Sequence, residues 1–167
     1  MSRYLSIGTE RGQYKELQAL VDDEDYELVS TFNWSVSKSN NVIYARTEVL
    51  IQGRRVCFFM HRFILGVCSE LFTDHRNGNG LDNRKENLRI CDASSNAKNR
   101  KLNSDNSTGY KGVTFEFGKY RAIIHNNKKK IHLGMFSTPV EAALAYDEAA
   151  NKLHGEFART NLDLGLL

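Results

Sequence analysis

Asp74-His75 is the residue pair in this chain best suited to chemistry, and the asparagines downstream of it strengthen that reading. They recur at Asn77, Asn79, Asn83, Asn87 and Asn96. A hard divalent cation takes oxygen ligands, which one carboxylate and several amides supply. An imidazole titrates near neutral pH, so it can remove a proton from a water molecule. Together these groups suit hydrolysis of a phosphodiester. Each residue alone has an ordinary structural reading, as a surface charge, a solvated histidine or a turn asparagine. Their order and spacing carry the chemical one.

The pair must be held by local structure. Leu71–His75 reads as a short strand, and Asn77-Gly78-Asn79-Gly80 supplies the residues of a tight turn. Leu88-Arg89-Ile90-Cys91 alternates as a return strand. Asp92 then suits a helix N-cap, which puts Asn96 in the first turns of a helix. Neighbours on a regular strand point to opposite faces, so Asp74 and His75 serve one phosphate only if the strand bends there.

Upstream, Asp22–Asp25 gives an acidic first turn to a helix through Val29. Trp34–Val36, Val42–Ala45 and Arg55–Met60 read as strands of one sheet, and His61–Leu65 as a short apolar helix stopped by Gly66. Trp34, Phe58, Phe59 and Phe63 are expected in the core, and His61 as a packed helix residue. Arg46, Arg54 and Arg55 on this sheet could meet phosphates. Cys57, Cys68 and Cys91 are odd in number and lack the spacing of a zinc knuckle. They read as buried free thiols, with a zinc site of Cys57, His61 and Cys68 as the sharper alternative.

Downstream, Gly112–Phe115, Tyr120–Ile124 and Lys130–Gly134 read as three strands joined by turns. A helix comes next, with Thr138 as N-cap, Pro139 at its first position and Glu141 completing a capping box. Val140, Ala143, Leu144, Ala150 and Leu153 recur at helical spacing, and Gly155 ends the helix.

Charge is unevenly spread. Residues 76–134 carry 13 basic and 5 acidic side chains, a balance of +8 in a chain of net +3. A positive middle third that coincides with the candidate chemistry points to a polyanion as partner. No apolar run is long enough for a membrane span, and residues 1–8 lack the apolar stretch of a signal peptide, so a cytoplasmic protein is expected.

Asp74-His75, Asn87 and Asn96, together with Met60-His61-Arg62 and Asn83–Arg89, resemble the HNH nuclease motif of HNH homing endonucleases. The resemblance implies a ββα fold around one metal ion and cleavage leaving 5′-phosphate and 3′-hydroxyl ends. Asn77 stands where the family often has Asp, and Asn96 where many members have His. The second departure favours Mg²⁺ (or Mn²⁺) over Zn²⁺, since an amide oxygen is a harder ligand than imidazole. Carried across, Asp74 and Asn96 hold one ion, His75 is the general base, and Asn87 fixes the loop and orients the imidazole.

Tyr110–Val113, Gly118–Ala122, Leu133–Phe136 and Glu141–Asp147 resemble the AP2/ERF DNA-binding domain, in which the three-stranded sheet enters the major groove. Carried across, the contacts are Lys111, Thr114, Arg121, His125, Lys130 and His132. Thr114 and His132 replace the Arg and Trp common in plant members, so the target sequence does not transfer. Between the two regions, residues 98–108 are polar and basic at first. They read either as a tether or as a strand whose Arg100 and Lys101 track DNA phosphates.

The expected fold is therefore α+β: an N-terminal ββα-metal HNH nuclease domain over 1–97 (the motif spanning about 70–100), a linker over 98–108, and an AP2-like three-stranded antiparallel sheet with one packed helix over 109–165. The expected function is site-specific cutting or nicking of double-stranded DNA by a monomer, or by a dimer where both strands are cut, in a bacterial or phage-infected cell. The rival is a non-catalytic AP2-type transcriptional regulator with a degenerate HNH region.

Overall fold

Ala19, Leu20 and Val21 form an apolar run within Gln18–Asp22, and burial alternates along it, with Ala19 and Val21 fully buried. This strand pairs antiparallel with Ser2–Ser6; the two are β2 and β1. The computed structural model describes residues 1–8, 14–39, 41–67, 70–99, 102 and 105–167. Cys68, Arg100 and Lys101 lie outside the described residues. The chain is mixed α+β with four small antiparallel sheets among the described residues. It divides into two compact units, Met1–Asp92 and Ala93–Leu167.

In the first unit, helix α1 (Asp23–Ser30) opens with Asp23, Glu24 and Asp25, whose charges favour the positive end of the helix dipole. Strands β3 (Ser35–Ser39), β4 (Val42–Ile51) and β5 (Arg54–Phe59) form an antiparallel sheet with β4 in the middle. Helix α2 (Met60–Ile64) comes directly after β5. Ile7, Ala19, Val21, Val29, Trp34, Ala45 and Met60 form the core, and the Trp34 indole N–H donates to the Val29 carbonyl at 2.7 Å. Strands β6 (Phe72–His75) and β7 (Leu88–Cys91) form a two-stranded ribbon that pairs Asp74 with Arg89 and His75 with Leu88. The pair β1–β2 lies outside the strands expected from the sequence.

The thiols depart from expectation. Cys57 is exposed and Cys91 half-buried, not buried as expected. Val56 is half-buried on β5 while Cys57 next to it is exposed, as strand alternation requires. Cys57 thus faces outward while His61 is buried.

The second unit holds helix α3 (Ala93–Lys98), strands β8 (Val113–Glu116), β9 (Lys119–Asn126) and β10 (Lys129–Phe136), and helix α4 (Pro139–His154). The sheet order is β10-β9-β8, all antiparallel. The Thr138 hydroxyl accepts from the Glu141 N–H at 3.2 Å, while the Glu141 carboxylate accepts from the Thr138 N–H at 3.1 Å, which completes the capping box. Ala142, Ala143, Tyr146 and Ala150 of α4 are buried with Val113, Ala122 and Ile124 of the sheet. Val140 and Leu144, which share the helical spacing of the apolar residues, are 43% and 55% exposed. Three of these four α4 core residues are alanine, so the face in contact with the sheet is narrow and larger apolar residues beside it stay in solvent. No helix among the described residues is long and apolar enough to cross a membrane.

Gly112 is required where it stands. Its φ is +76°, and a Cβ there would lie 2.0 Å from the Tyr146 ring. Gly112→Ala is expected to destabilise the second unit by about 3 kcal/mol, combining left-handed backbone strain with overpacking. Urea unfolding followed by Tyr fluorescence checks this.

Candidate functional site

The loop between β6 and β7 is laced by its own side chains. The Asn77 N–H donates to Asn87 Oδ1 at 3.0 Å, and Asn87 Nδ2 donates to the Asp82 carbonyl at 2.7 Å. Asn77 Oδ1 and Asn79 Oδ1 accept from backbone N–H groups two residues on. Arg84 grips both oxygens of Asp82 at 2.8 Å, and Asn77 Nδ2 donates to Asp82 Oδ2 at the same distance. These bonds satisfy loop backbone that no sheet could reach. Gly80 lets the loop approach β4, since a Cβ there would sit 2.4 Å from the Ile43 carbonyl oxygen.

Leu20 of β2 fixes the loop's position. Its N–H donates to the Leu81 carbonyl at 2.8 Å, and its carbonyl accepts from the Asn83 N–H at 2.7 Å. Asn83 is thereby held fully buried, and its Oδ1 lies 3.4 Å from His75 Nε2. An amide oxygen only accepts, so this contact is a hydrogen bond in the tautomer that carries the imidazole proton on Nε2. Asn87 bonds within the loop, and the amide oxygen beside the imidazole comes from Asn83.

Asp74 and His75 are both buried, at 9% and 5% exposure. Asp74 Oδ2 accepts from Arg89 Nη2 at 2.7 Å and Nε at 3.1 Å, across the ribbon. Burial pushes the His75 imidazole below its usual range, against the opposing pull of the Asn83 hydrogen bond and of the Asp74 and Asp82 carboxylates. The imidazole is therefore neutral at pH 7. The strand ends at His75, whose carbonyl accepts from the Gly78 N–H at 2.9 Å.

His61 is packed, as expected, and its packing partner is His75. The two rings meet edge to face at 4.8 Å between centroids, and Tyr44 lies 5.7 Å from one and 5.8 Å from the other. Burial, with the neighbouring His75 and Arg62, brings His61 down to about 3. His61 and Asn83 belong to the same motif as His75 in the sequence, whereas Tyr44, on β4, lies outside it.

No group of three or more His, Cys, Asp or Glu side chains with metal-binding placement exists among the described residues. A closed zinc site would need such a group. A hard ion that keeps most of its waters needs only one or two carboxylates with other oxygens, and the buried Asp74 carboxylate fits that use. Asn96 lies half-buried on α3, in the second unit.

On the AP2-like sheet, cross-strand register pairs Thr114 with Arg121, Arg121 with Met135, His125 with Lys130, and Ile123 with His132. Alternation puts these residues on the face opposite α4. Thr114, His125, Lys130 and His132 are exposed there, while Arg121 is half-buried and paired with Glu116 at 2.6 Å. Lys111 is turned inward. Its Nζ donates to the carbonyls of Lys98 at 3.1 Å and Arg159 at 2.9 Å, and burial lowers it to about 8. In the first unit, Arg46 and Arg55 share Glu48 at 3.0 and 3.8 Å, which offsets part of their charge.

Known proteins match both regions. An uncharacterized HNH endonuclease of Acanthamoeba polyphaga mimivirus is 28% identical over 157 residues, covering 90% of this chain and 78% of its own. The ethylene-responsive transcription factor ERN1 of Medicago truncatula is 38% identical over 84 residues, and an APETALA2-like protein of Oryza sativa subsp. indica is 43% identical over 60. These cover 48% and 34% of this chain, which spans only 31% and 14% of the two plant proteins. No family model and no solved structure matches the chain. Resemblance to an HNH endonuclease and to AP2/ERF factors therefore stands on curated relatives as well as on motifs.

The depressed His61 pKa has a stability consequence. The unfolded chain binds a proton at the ordinary value of 6.5, whereas the folded one resists it to about 3. Stability is thus full above pH 6.5 and falls as the pH drops toward 3. His61→Phe is expected to make the urea midpoint less sensitive between pH 7 and pH 5 than in the wild type. Urea titrations at the two pH values measure it.

Proposed function

We propose that the chain is a metal-dependent, site-specific DNA endonuclease of the HNH homing type, in which an HNH nuclease domain cuts and an AP2-like domain binds double-stranded DNA. The observation that carries this reading is the burial of Asp74 beside a neutral His75 at the end of one short ribbon. The HNH endonuclease relative, which covers 90% of the chain, supports it.

Asp74 would hold one Mg²⁺ or Mn²⁺, which would supply charge neutralisation at the scissile phosphate and the departing 3′ oxygen; Asn96 as a second ligand is what the motif resemblance alone implies. His75 takes a proton from the attacking water. The new P–O bond forms as the P–O3′ bond breaks, and the 3′ oxygen collects a proton from solvent. Asn87 keeps the loop closed under the imidazole, and in the tautomer that bonds to Asn83 the proton is on Nε2 and the basic lone pair on Nδ1. Thr114, Arg121, His125, Lys130 and His132 form the DNA-facing surface. Lys111 is left out of that surface because its ammonium already donates to two carbonyls.

The rival reading, a non-catalytic regulator, draws on the plant transcription-factor relative. Plasmid nicking with and without Mg²⁺ separates the two. The nuclease reading expects Mg²⁺-dependent nicking that His75→Ala reduces by about a thousandfold while DNA affinity is kept. It also expects an acid limb below pH 6.5, because a base with a lowered pKa stays active to lower pH. Wild-type binding without any nicking would leave the regulator.

The DNA face makes its own prediction. Lys130→Ala should reduce the slope of log affinity against log salt by about 0.9, one phosphate contact's worth. Lys111→Ala should leave that slope unchanged and lower the unfolding midpoint. Fluorescence anisotropy over a salt series, with urea melts of both variants, tests the pair.

A further inference from the structure

We propose that the outer end of the β4–β5 ribbon is a second DNA-binding element, an arm that enters the minor groove and wedges Leu50 and Ile51 between base steps. The proposal rests on double-stranded DNA being the substrate, and not on the cutting chemistry.

The arm follows from unequal strand lengths. β3 pairs with β4 only from Val42 to Arg46, whereas β5 pairs with it from Arg46 to Ile51. Beyond Thr47 the sheet is therefore a two-stranded ribbon, running from the pair Glu48 and Cys57 to the pair Ile51 and Arg54. At the usual rise of a strand it spans roughly 13 Å. Gln52 and Gly53 close it, with φ of 49° and 77°, the mark of a two-residue type I′ loop. Apart from chain neighbours, no atom of the described residues lies within 4 Å of where a Gly53 Cβ would sit.

The tip combines apolar surface with positive charge. Leu50 is 70% exposed and Ile51 44%. Register sets Leu50 against Arg55 and Ile51 against Arg54. Alternation sends the two aliphatic residues to opposite faces, so each face of the tip ends in one aliphatic side chain beside one guanidinium. Arg54 and Arg55 are both exposed, and of the two the Glu48 carboxylate reaches Arg55, at 3.8 Å. An exposed ion pair of that length contributes little and leaves the guanidinium available to a phosphate.

The chemistry selects the occupant. Two such arms laid together would bring four guanidiniums into one patch, which disfavours a second copy of the chain. An anionic bilayer needs one continuous apolar face to bury, and this tip has a single aliphatic residue on each side. DNA uses both kinds of group. Aliphatic side chains enter between base steps from the minor groove and partly unstack them, while arginine meets phosphate. Gln52 at the turn adds an amide donor for the acceptors on the floor of that groove. Insertion is a contact effect, so the arm grips DNA that has already been captured.

The test uses the full chain in EDTA and two double variants, Leu50→Ala with Ile51→Ala and Arg54→Ala with Arg55→Ala. All four positions are exposed, and urea midpoints should match the wild type. Anisotropy of a labelled 30-base-pair plasmid-derived duplex should show the aliphatic variant bound about tenfold more weakly, with its salt slope unchanged. The arginine variant should lower that slope by about 1.8, two phosphate contacts' worth. Plasmid relaxed by a metal-independent topoisomerase in the presence of the wild type should show a reduced linking number, since wedges untwist the duplex. The aliphatic variant at equal occupancy should lose most of that shift. Wild-type affinity and linking number in the aliphatic variant would overturn the proposal. So would weaker binding with the full topological shift, which would make the tip a contact without a wedge. Unchanged DNA binding in variants that lose self-association, or sedimentation with phosphatidylglycerol vesicles, would give the tip to a second copy or to lipid. A wild type that binds no DNA at all sinks the DNA reading together with the arm, whereas variants that bind like a binding-competent wild type sink the arm alone.

Discussion

Leu20 holds the β6–β7 loop by both of its backbone groups, and the candidate active site depends on that hold. The short ribbon bonds the loop at its ends, where the His75 carbonyl accepts from the Gly78 N–H at 2.9 Å and the Leu88 N–H donates to the Arg84 carbonyl at 3.1 Å. Two bonds to β2, at 2.8 and 2.7 Å, pin residues 81 and 83 between those ends. Once Asn83 is pinned, its amide has no route to solvent and its oxygen is held near the His75 ring. The asparagine and aspartate lacing then only has to keep the loop from fraying. Without β2, the same side-chain bonds would close a loop that faces nothing.

The second unit solves a similar problem with a polar knot. Asp147 is buried on α4 and accepts from the Asn161 backbone N–H at 2.7 Å, the Asn161 side-chain amide at 2.8 Å and the Leu162 N–H at 3.0 Å. Asn161 Oδ1 in turn accepts from the Lys111 N–H at 2.6 Å, and its Nδ2 donates to the Lys111 carbonyl at 3.2 Å. A buried carboxylate saturated by donors is stable where an unsatisfied one is not. The knot ties the C-terminal segment to the start of the sheet. It also draws Lys111 inward, so a basic residue that looks like part of a DNA face in the sequence serves the fold.

What could be read in the sequence was whatever short-range pattern determines. The capping box at Thr138 and Glu141, the acidic first turn of α1, and the strands carrying Asp74 and Arg89 were all legible, because each depends on residues a few positions apart. The parts that escaped depend on tertiary approach. Asn83 and Asn87 are the same residue type in the same loop, and only the bonds to Leu20 decide which amide oxygen lies beside the imidazole. His61 looked like a core residue and is one, but its neighbour in the core is the candidate base. Val140 and Leu144 carry the apolar period of α4 correctly, yet alanine-rich packing leaves them outside the contact.

The two halves of the proposed activity sit in opposite electrostatic settings, and this shapes how the protein would work. Lys130, His125 and His132 are exposed on the sheet, where salt screens charge over about 8 Å at physiological ionic strength. Attraction for DNA through that face is long-range, adjustable and weakened by salt. Asp74 and Arg89 are buried at 9% and 7% exposure, where screening is slight. The neutral His75 beside them adds no net charge of its own. A site arranged in this way has little pull on DNA at a distance and depends on the sheet for recruitment. In return, its local field stays nearly constant across conditions that change binding by orders of magnitude. Under the proposed function, affinity and chemistry would be set by different residues, and the binding face could change without altering the environment of the base.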